Sequence, residues 1–416
     1  MTAEAAVVLP VWLNKDFAKS SLKESNSCGD FKILSVDVQR ATAPGDNYLS
    51  EVYRMTVHLE HNVKQYKRSV SLIIKCLPDS EVMKTIAQDM QAFEQETLMF
   101  CETIPAMSKI LEEAAPGKYT QLSAKCFASG REPVSYVVLE DLKARGFALA
   151  KRCKGLDLAH ARLVVRKLAE FHASSVRLYE QRPSALDRYQ TFRMFEGDMA
   201  KHLEPYVKQG CKLLADQLET LEKSYSKYAP KVRALSENIF PRLLELVKRK
   251  GKFRVLIHAD TWVNNIMFKY AGGVVRDVVL LDFQLASYNS PSIDLQYFAH
   301  TSLTEEVYSD HLTDLLKDYH NHLVEVMSDI GVSTDKQISF EELLEDFEEH
   351  SLYAVFASVG VLPVVRTEEE TRFDVESSVK ENDSDTNRKA FAGASYVEAV
   401  KQMLPQFEKK GLFSSN

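Results

Sequence analysis

Val255 to Phe268 reads V-L-I-H-A-D-T-W-V-N-N-I-M-F, and Val278 to Gln284, past a Gly272-Gly273 step, reads V-V-L-L-D-F-Q. Val255-Leu256-Ile257 and Val278 to Leu281 are short β-branched or leucine runs, the pattern of buried strands. Two adjacent glycines between such runs permit the positive φ angles of a tight turn. The polar residues fall where the runs stop. His258, Asp260 and Asn265 follow the first as His-x-Asp-x-x-x-x-Asn, and Asp282 ends the second. The pattern predicts two carboxylates, an amide and an imidazole at strand ends beside a cleft.

This order and spacing resembles the catalytic loop and metal-binding strand of protein-kinase-like enzymes. A hydroxyl attacking the γ-phosphoryl group of ATP needs a carboxylate to orient it and accept its proton, the role expected of Asp260. Magnesium prefers about six oxygens and keeps several waters, so Asn265, Asp282 and phosphate oxygens suit it. His258 is expected to brace the loop through hydrogen bonds. The weight lies in the combination, because a lone H-x-D is common and an aspartate at a strand end is ordinarily a turn or cap residue.

Length and composition admit such an enzyme. A chain of 416 residues suffices for two domains, and an apolar fraction of 45% fills sizeable cores. The formal charge of -7 and the lack of a basic stripe interleaved with aromatics argue against a nucleic-acid partner. Lys248-Arg249-Lys250 reads as a solvated helix end. No run of 18 apolar residues predicts a membrane span. The start of the chain lacks the basic region of a signal peptide. It reads as an N-terminal helix docking through Trp12 and Phe17. Cys28, Cys76, Cys101, Cys126, Cys153 and Cys211 show no C-x-x-C spacing, so free thiols in a reducing cytoplasm are expected and zinc is not.

The N-terminal part reads as strands. Ile33 to Gln39 and Glu51 to Leu59 alternate, joined by a loop containing Pro44-Gly45, Asp46, Asn47 and Ser50. Its backbone amides are candidates to cover phosphates, with Asn47 and Ser50 as ATP-binding residues, although a plain surface hairpin reads equally well from the loop alone. Ser69 to Cys76 is a strand with one lysine, Lys75, which must find a partner if buried. Glu81 to Phe100 reads as one helix with Met90, Phe93, Thr97 and Phe100 on its less polar face and Glu96 nearby. Lys75 and Glu96 are the expected ion pair, the lysine serving the α- and β-phosphates. Ser135 to Leu142 reads as a further strand, where an adenine ring is expected against Leu139 and Leu142 with main-chain bonds near Glu140.

Beyond it the periodicity turns helical. Leu156 to Leu178 places Leu163, Leu168, Phe171 and His172 inward, His172 as a satisfied core histidine. Phe192 to Lys250 holds further amphipathic helix. Pro291 opens another helix, in which Asp294 either caps it or reaches the catalytic-loop backbone. Helices are expected over Glu305 to Met327 and Phe340 to Val359. The acidic, polar stretch from Thr367 to Lys389 reads as a surface loop and candidate lid.

Together these pieces resemble the ecdysteroid kinase-like family, a branch of the choline and aminoglycoside kinases. The resemblance rests on P-G-D-N-Y-L-S-E-V-Y-R (44–54), Lys75 with Pro78, F-E-Q-E (93–96), V-L-E-D-L (138–142), L-A-E-F-H-A-S-S (168–175), the catalytic block and P-S-I-D-L-Q-Y-F (291–298). It implies a two-lobed α+β fold: a small antiparallel-sheet lobe over 1–140 and a larger, mainly helical lobe over 141–416. It further implies ATP and Mg2+ dependence and phosphorylation of a hydroxyl on a small organic molecule, an ecdysteroid or another steroid-like or foreign alcohol. Carried over, Asp260 is the base, Asn265 and Asp282 bind metal, and Lys75 with Glu96 grips phosphates. Ala259 departs from the family's usual glycine and would strain the loop by about 1 kcal/mol or more if φ is positive there.

Two other functions fit parts of the sequence. A non-catalytic nucleotide- or ligand-binding scaffold would explain the fold, but has no physical need for Asp260, Asn265, Asp282 and Lys75 together. A protein kinase would need an A-P-E segment, which the chain lacks. The acceptor is expected in an apolar cleft lined by Tyr353 to Val365 and Trp262.

Overall fold

The computed structural model describes residues 9–25, 29–41, 50–62, 66–78, 81–89, 91–249, 251–367 and 385–414. Asn47, most of its loop, and 368–384 of the expected lid lie outside the described residues. The fold is α+β and divides into two compact units, one of 1–105 and 123–147, the other of 106–122 and 148–416.

The first unit is built on five antiparallel strands: β1 (Phe31–Arg40), β2 (Glu51–His61), β3 (Lys67–Cys76), β4 (Cys126–Gly130) and β5 (Tyr136–Glu140), ordered β1-β2-β3-β5-β4. On β2 the alternation is strict. Tyr53, Met55, Val57 and Leu59 are buried and their neighbours half-exposed, as a sheet covered on one face requires. The covering element is helix α1 (Lys15–Glu24), whose Ala18 and Leu22 enter the same core. Asn14 caps it, its side chain accepting from the amides of Asp16 and Phe17. Trp12 precedes the helix, and its ring lies 5.1 Å from Phe17 and 5.7 Å from Tyr136.

The single helix expected from Glu81 to Phe100 is interrupted. Helix α2 (Glu81–Asp89) stops before Gln91, whose φ of 48° is left-handed, and α3 (Ala92–Leu98) begins anew. A π-turn over Met99–Thr103 then leads into α4 (Ile104–Ala114). The break re-aims the chain so that Ala92, Phe93, Gln95 and Glu96 are all buried. Five described cysteines are free thiols, and the Sγ atoms of Cys101 and Cys126 lie 2.9 Å apart.

Short strand β6 (Phe147–Leu149) straddles the boundary between units. The second unit is organised around α5 (Leu158–Gln181) and α11 (Glu305–Asp329), which pack along each other. Along α5 the inward residues are Val164, Leu168, Phe171 and His172, while Leu163 is only half-buried, one position out of the expected register. Buried Lys167 ties this helix to the segment before β4, donating to Thr120 Oγ1 at 2.8 Å and to Glu170 at 2.5 Å.

Strand β7 (Val255–Ile257) pairs with β10 (Ser287–Asn289), and the Leu256 amide donates to Ser175 of α5. Strands β8 (Ile266–Ala271) and β9 (Val274–Leu280) form the expected hairpin, Gly272 and Gly273 taking φ of 58° and 78°. The chain continues through α6 (Gly197–Glu219), α7 (Lys223–Ser226), α8 (Ala229–Leu235) and α9 (Ile239–Lys248) ahead of the site. After it come α10 (Pro291–Ser302), α12 (Phe340–Glu349), α13 (Ser351–Gly360) and α14 (Leu362–Arg366). The helix expected over Phe340 to Val359 is thus two, divided at His350. Every residue of α10 and of α13 is buried. Gly210 of α6 permits close packing on α13, because a Cβ there would sit 2.6 Å from the Val359 carbonyl oxygen. The last helices are Asp385–Ala392 and Ala394–Lys409, so the end of the expected 367–389 loop is helical.

Candidate active site

In the first unit the sheet register puts Lys75 opposite Val52 of β2 and Val137 of β5, inside the sheet rather than at its edge. A cation there must be paired. Its Nζ lies 2.8 Å from Glu96 Oε1 and 2.7 Å from Oε2, and the two side chains are 8% and 2% exposed. The expected partners meet. Ser50, at the start of β2, is buried. Glu140 is half-buried, its carboxylate taken by Arg145 at 2.7 Å, and Leu139 and Leu142 are buried. Asp141 was not singled out from the sequence, yet it anchors β5 to β2 and β3. Burial works against its charge, but bonds from Arg54 at 2.7 Å and Ser71 at 2.6 Å hold its carboxyl below the ordinary range.

In the second unit the hairpin explains why residues 16 or more apart in sequence become neighbours. Pairing of Ile266 with Leu280 sets Asn265 opposite Leu281, and the Leu281 amide donates to the Asn265 carbonyl at 2.8 Å. The Leu281 carbonyl in turn accepts from His258 Nε2 at 2.7 Å, while His258 Nδ1 lies 3.3 Å from the Asp260 amide. An Nε2–H tautomer satisfies both bonds. Burial lowers the His258 pKa and favours that neutral form. His258 therefore staples its own loop to the segment carrying Asp282.

The backbone of this segment is strained. Ala259 has φ of 65° and Asp282 φ of 62°, a region that costs an L-residue roughly 1–2 kcal/mol. Asp294 on α10 counteracts the strain at Ala259. Its Oδ2 accepts from the His258 amide and its Oδ1 from the Ala259 amide, each at 2.7 Å. Of the two roles left open for Asp294, the structure has the loop contact, since Ser290 caps α10. Burial opposes the Asp294 charge, but a bond from His172 Nε2 at 3.1 Å and one from the His258 amide hold its carboxyl below the usual range. His172, with Tyr319 on its other nitrogen at 2.8 Å, is a satisfied core histidine.

Asp260 is the focus of this frame. Asn265 Nδ2 donates to its Oδ2 at 2.7 Å and its carbonyl at 3.0 Å, and Tyr297 of α10 donates to its Oδ1 at 2.6 Å. Burial pushes the Asp260 carboxyl up to about 7, and the nearby Asp282 charge pushes the same way, against the bonds from Tyr297, Asn265 and Trp262. With both amide protons spent on Asp260, Asn265 has its side-chain oxygen for a hard cation, the donor type Mg2+ prefers. The Asp282 charge is near enough to act on Asp260. No group of three or more His, Cys, Asp or Glu side chains able to hold a metal occurs among the described residues. Tyr297 escaped the sequence reading, because a helix buried on every side shows no polar stripe to single out one hydroxyl.

No described helix is long and apolar enough to cross a membrane. Comparison with curated proteins gave no match. The family model of the ecdysteroid kinase-like family matches residues 44–332, which span the lysine strand, the catalytic loop, Asp282 and α10, and membership implies a small-molecule kinase of protein-kinase-like fold. The chain belongs to the ecdysteroid kinase-like family.

Proposed function

We propose that this protein transfers the γ-phosphoryl group of ATP to a hydroxyl of a small organic alcohol, an ecdysteroid or another steroid-like or foreign compound, with Asp260 as the base. The observation that carries this reading is the Asp260 carboxylate, oriented by Asn265 and Tyr297 and made more basic by burial. A general base works best with a pKa near the operating pH. The acceptor hydroxyl hydrogen-bonds to this carboxylate, which takes its proton as the oxygen attacks phosphorus. Asn265 and Asp282 hold Mg2+, which supplies neutralisation of phosphate charge when bound. Lys75, paired with Glu96, grips the α- and β-phosphates, and Asn47 and Ser50 cover them. The adenine lies against Leu142 with main-chain bonds at Glu140. Family membership and the oxygen-rich donor set support these assignments, and the free thiols fit a cytoplasmic setting.

The test combines ATP binding by calorimetry, with and without Mg2+, and transfer of radiolabelled phosphate to ecdysteroids, plant phenolics and choline. Expected are Mg2+-dependent binding and transfer to at least one alcohol other than choline. Mg2+-dependent binding with no transfer across the panel would favour a nucleotide-binding scaffold.

A further inference from the structure

Asp260 has more donors than a loop base needs merely to stay in place. Asn265 holds Oδ2 and lies on the same loop, five residues away. Tyr297 holds Oδ1 from α10, a separate and wholly buried helix. The Tyr297 side chain is itself fixed. It is 4% exposed, and its ring lies 6.2 Å from that of Tyr353 on α13, which is entirely buried. Among the described residues the Tyr353 hydroxyl has no hydrogen-bond partner, so it does not compete for the Tyr297 proton. Burial, followed by the Asp260 charge, raises the Tyr297 pKa well above the ordinary value, and the group stays a donor.

The two oxygens of a carboxylate turn together about the Cβ–Cγ bond, and donors on the loop itself, Asn265 and Trp262, shift with Asp260 when the loop shifts. Tyr297, on a different element, ties the carboxylate plane to α10. It also withholds the base from the cation expected at Asn265 and Asp282, since a carboxylate oxygen tied to a hydroxyl is a poorer ligand. We infer that Tyr297 is a positioning residue for phosphoryl transfer, holding Asp260 Oδ1 so that the carboxylate faces the acceptor hydroxyl and not the metal. This rests on the reading of Asp260 as base. It adds that α10, through one hydroxyl, sets how productively the base is aimed. Tyr297 neither touches the nucleotide nor exchanges a proton.

The test is a double-mutant cycle on phosphate transfer, using the alcohol most active in the panel above, with Tyr297→Phe and Asp260→Asn singly and together. Tyr297→Phe is expected to lower kcat roughly ten- to a hundredfold, the worth of a hydrogen bond to a charged group, with the KM for ATP unchanged. In the Asp260→Asn background the same change should cost less than twofold, because the residue acts through Asp260. An equal loss in both backgrounds, or a wild-type kcat for Tyr297→Phe, overturns the proposal. So does a loss confined to KM for ATP. Tyr297→His, which retains a ring donor, should recover part of kcat, and no recovery in a folded protein also counts against it. If Asp260→Asn alone leaves transfer intact, the base assignment has failed instead, which the cycle separates from failure of Tyr297.

Discussion

The candidate residues of the two units are held in opposite ways. In the first unit, Lys75 and Glu96 sit within a strand and a helix, and their position follows from sheet register and from the Gln91 break that starts the helix. In the second, Asp260, Asn265 and Asp282 sit on a loop, a short 3-10 turn and a strand end with two left-handed non-glycine residues, held by His258 of the loop itself and by Asp294 and His172 from helices distant in sequence. Regular elements place a charge cheaply but coarsely. A strained loop is placed finely, and only as long as its polar anchors stay paired.

The contrast breaks most readily at Asp294. Asp294→Ala removes the acceptor of two backbone amides and of His172 in a fully buried place, and should cost roughly 4–5 kcal/mol in urea unfolding. A loss under 1 kcal/mol would mean that the loop does not depend on α10. Glu96→Ala should cost less, about 3 kcal/mol, since regular elements hold the backbone and only the Lys75 charge is left without its carboxylate. Equal costs for the two variants would erase the distinction drawn between the units.

Acid sharpens it further. Burial drops the His300 pKa to about 3, and that of His258 is lowered as well, both in the second unit. A histidine neutral when folded and near 6.5 when unfolded gives its full stability above pH 6.5 and loses it as pH falls toward the folded pKa. For His300 alone the loss is about 2 kcal/mol by pH 5. The raised Asp260 carboxyl works the other way over this range, taking up a proton in the folded state as pH falls. The His300 contribution is therefore read by comparison: relative to the parent, His300→Gln should gain about 2 kcal/mol in urea unfolding between pH 7 and pH 5, and a pH dependence unchanged in the variant would contradict the assignment.

The smallest effect is at Ala259. Glycine there relieves a positive φ while loosening the unfolded chain, for a net gain of about 0.5–1 kcal/mol. Destabilisation by Ala259→Gly would show that the methyl group packs more favourably than the backbone strains.

Much of this was legible in the sequence. Strand runs, the Gly272-Gly273 turn and the His258-to-Asp282 spacing fixed the second unit's hairpin and loop, because each depends on local patterning. Lys75 stood out as a lone charge in an apolar strand, which demands a partner. The Gln91 break did not stand out, as a left-handed glutamine carries no local signature. Nor did Tyr297, whose partner is 37 residues away in sequence and whose helix is buried all round. Asp141 was hidden for a similar reason, its partner Arg54 lying 87 residues distant.

The central claim is that the Asp260 carboxylate takes the acceptor proton. Single-turnover phosphate transfer by Asp260→Asn, measured beside Mg2+-dependent ATP binding on the same preparation, tests it most directly. A fall of about a hundredfold or more in the transfer rate with ATP affinity nearly unchanged is the predicted result. Transfer at the wild-type rate would contradict it.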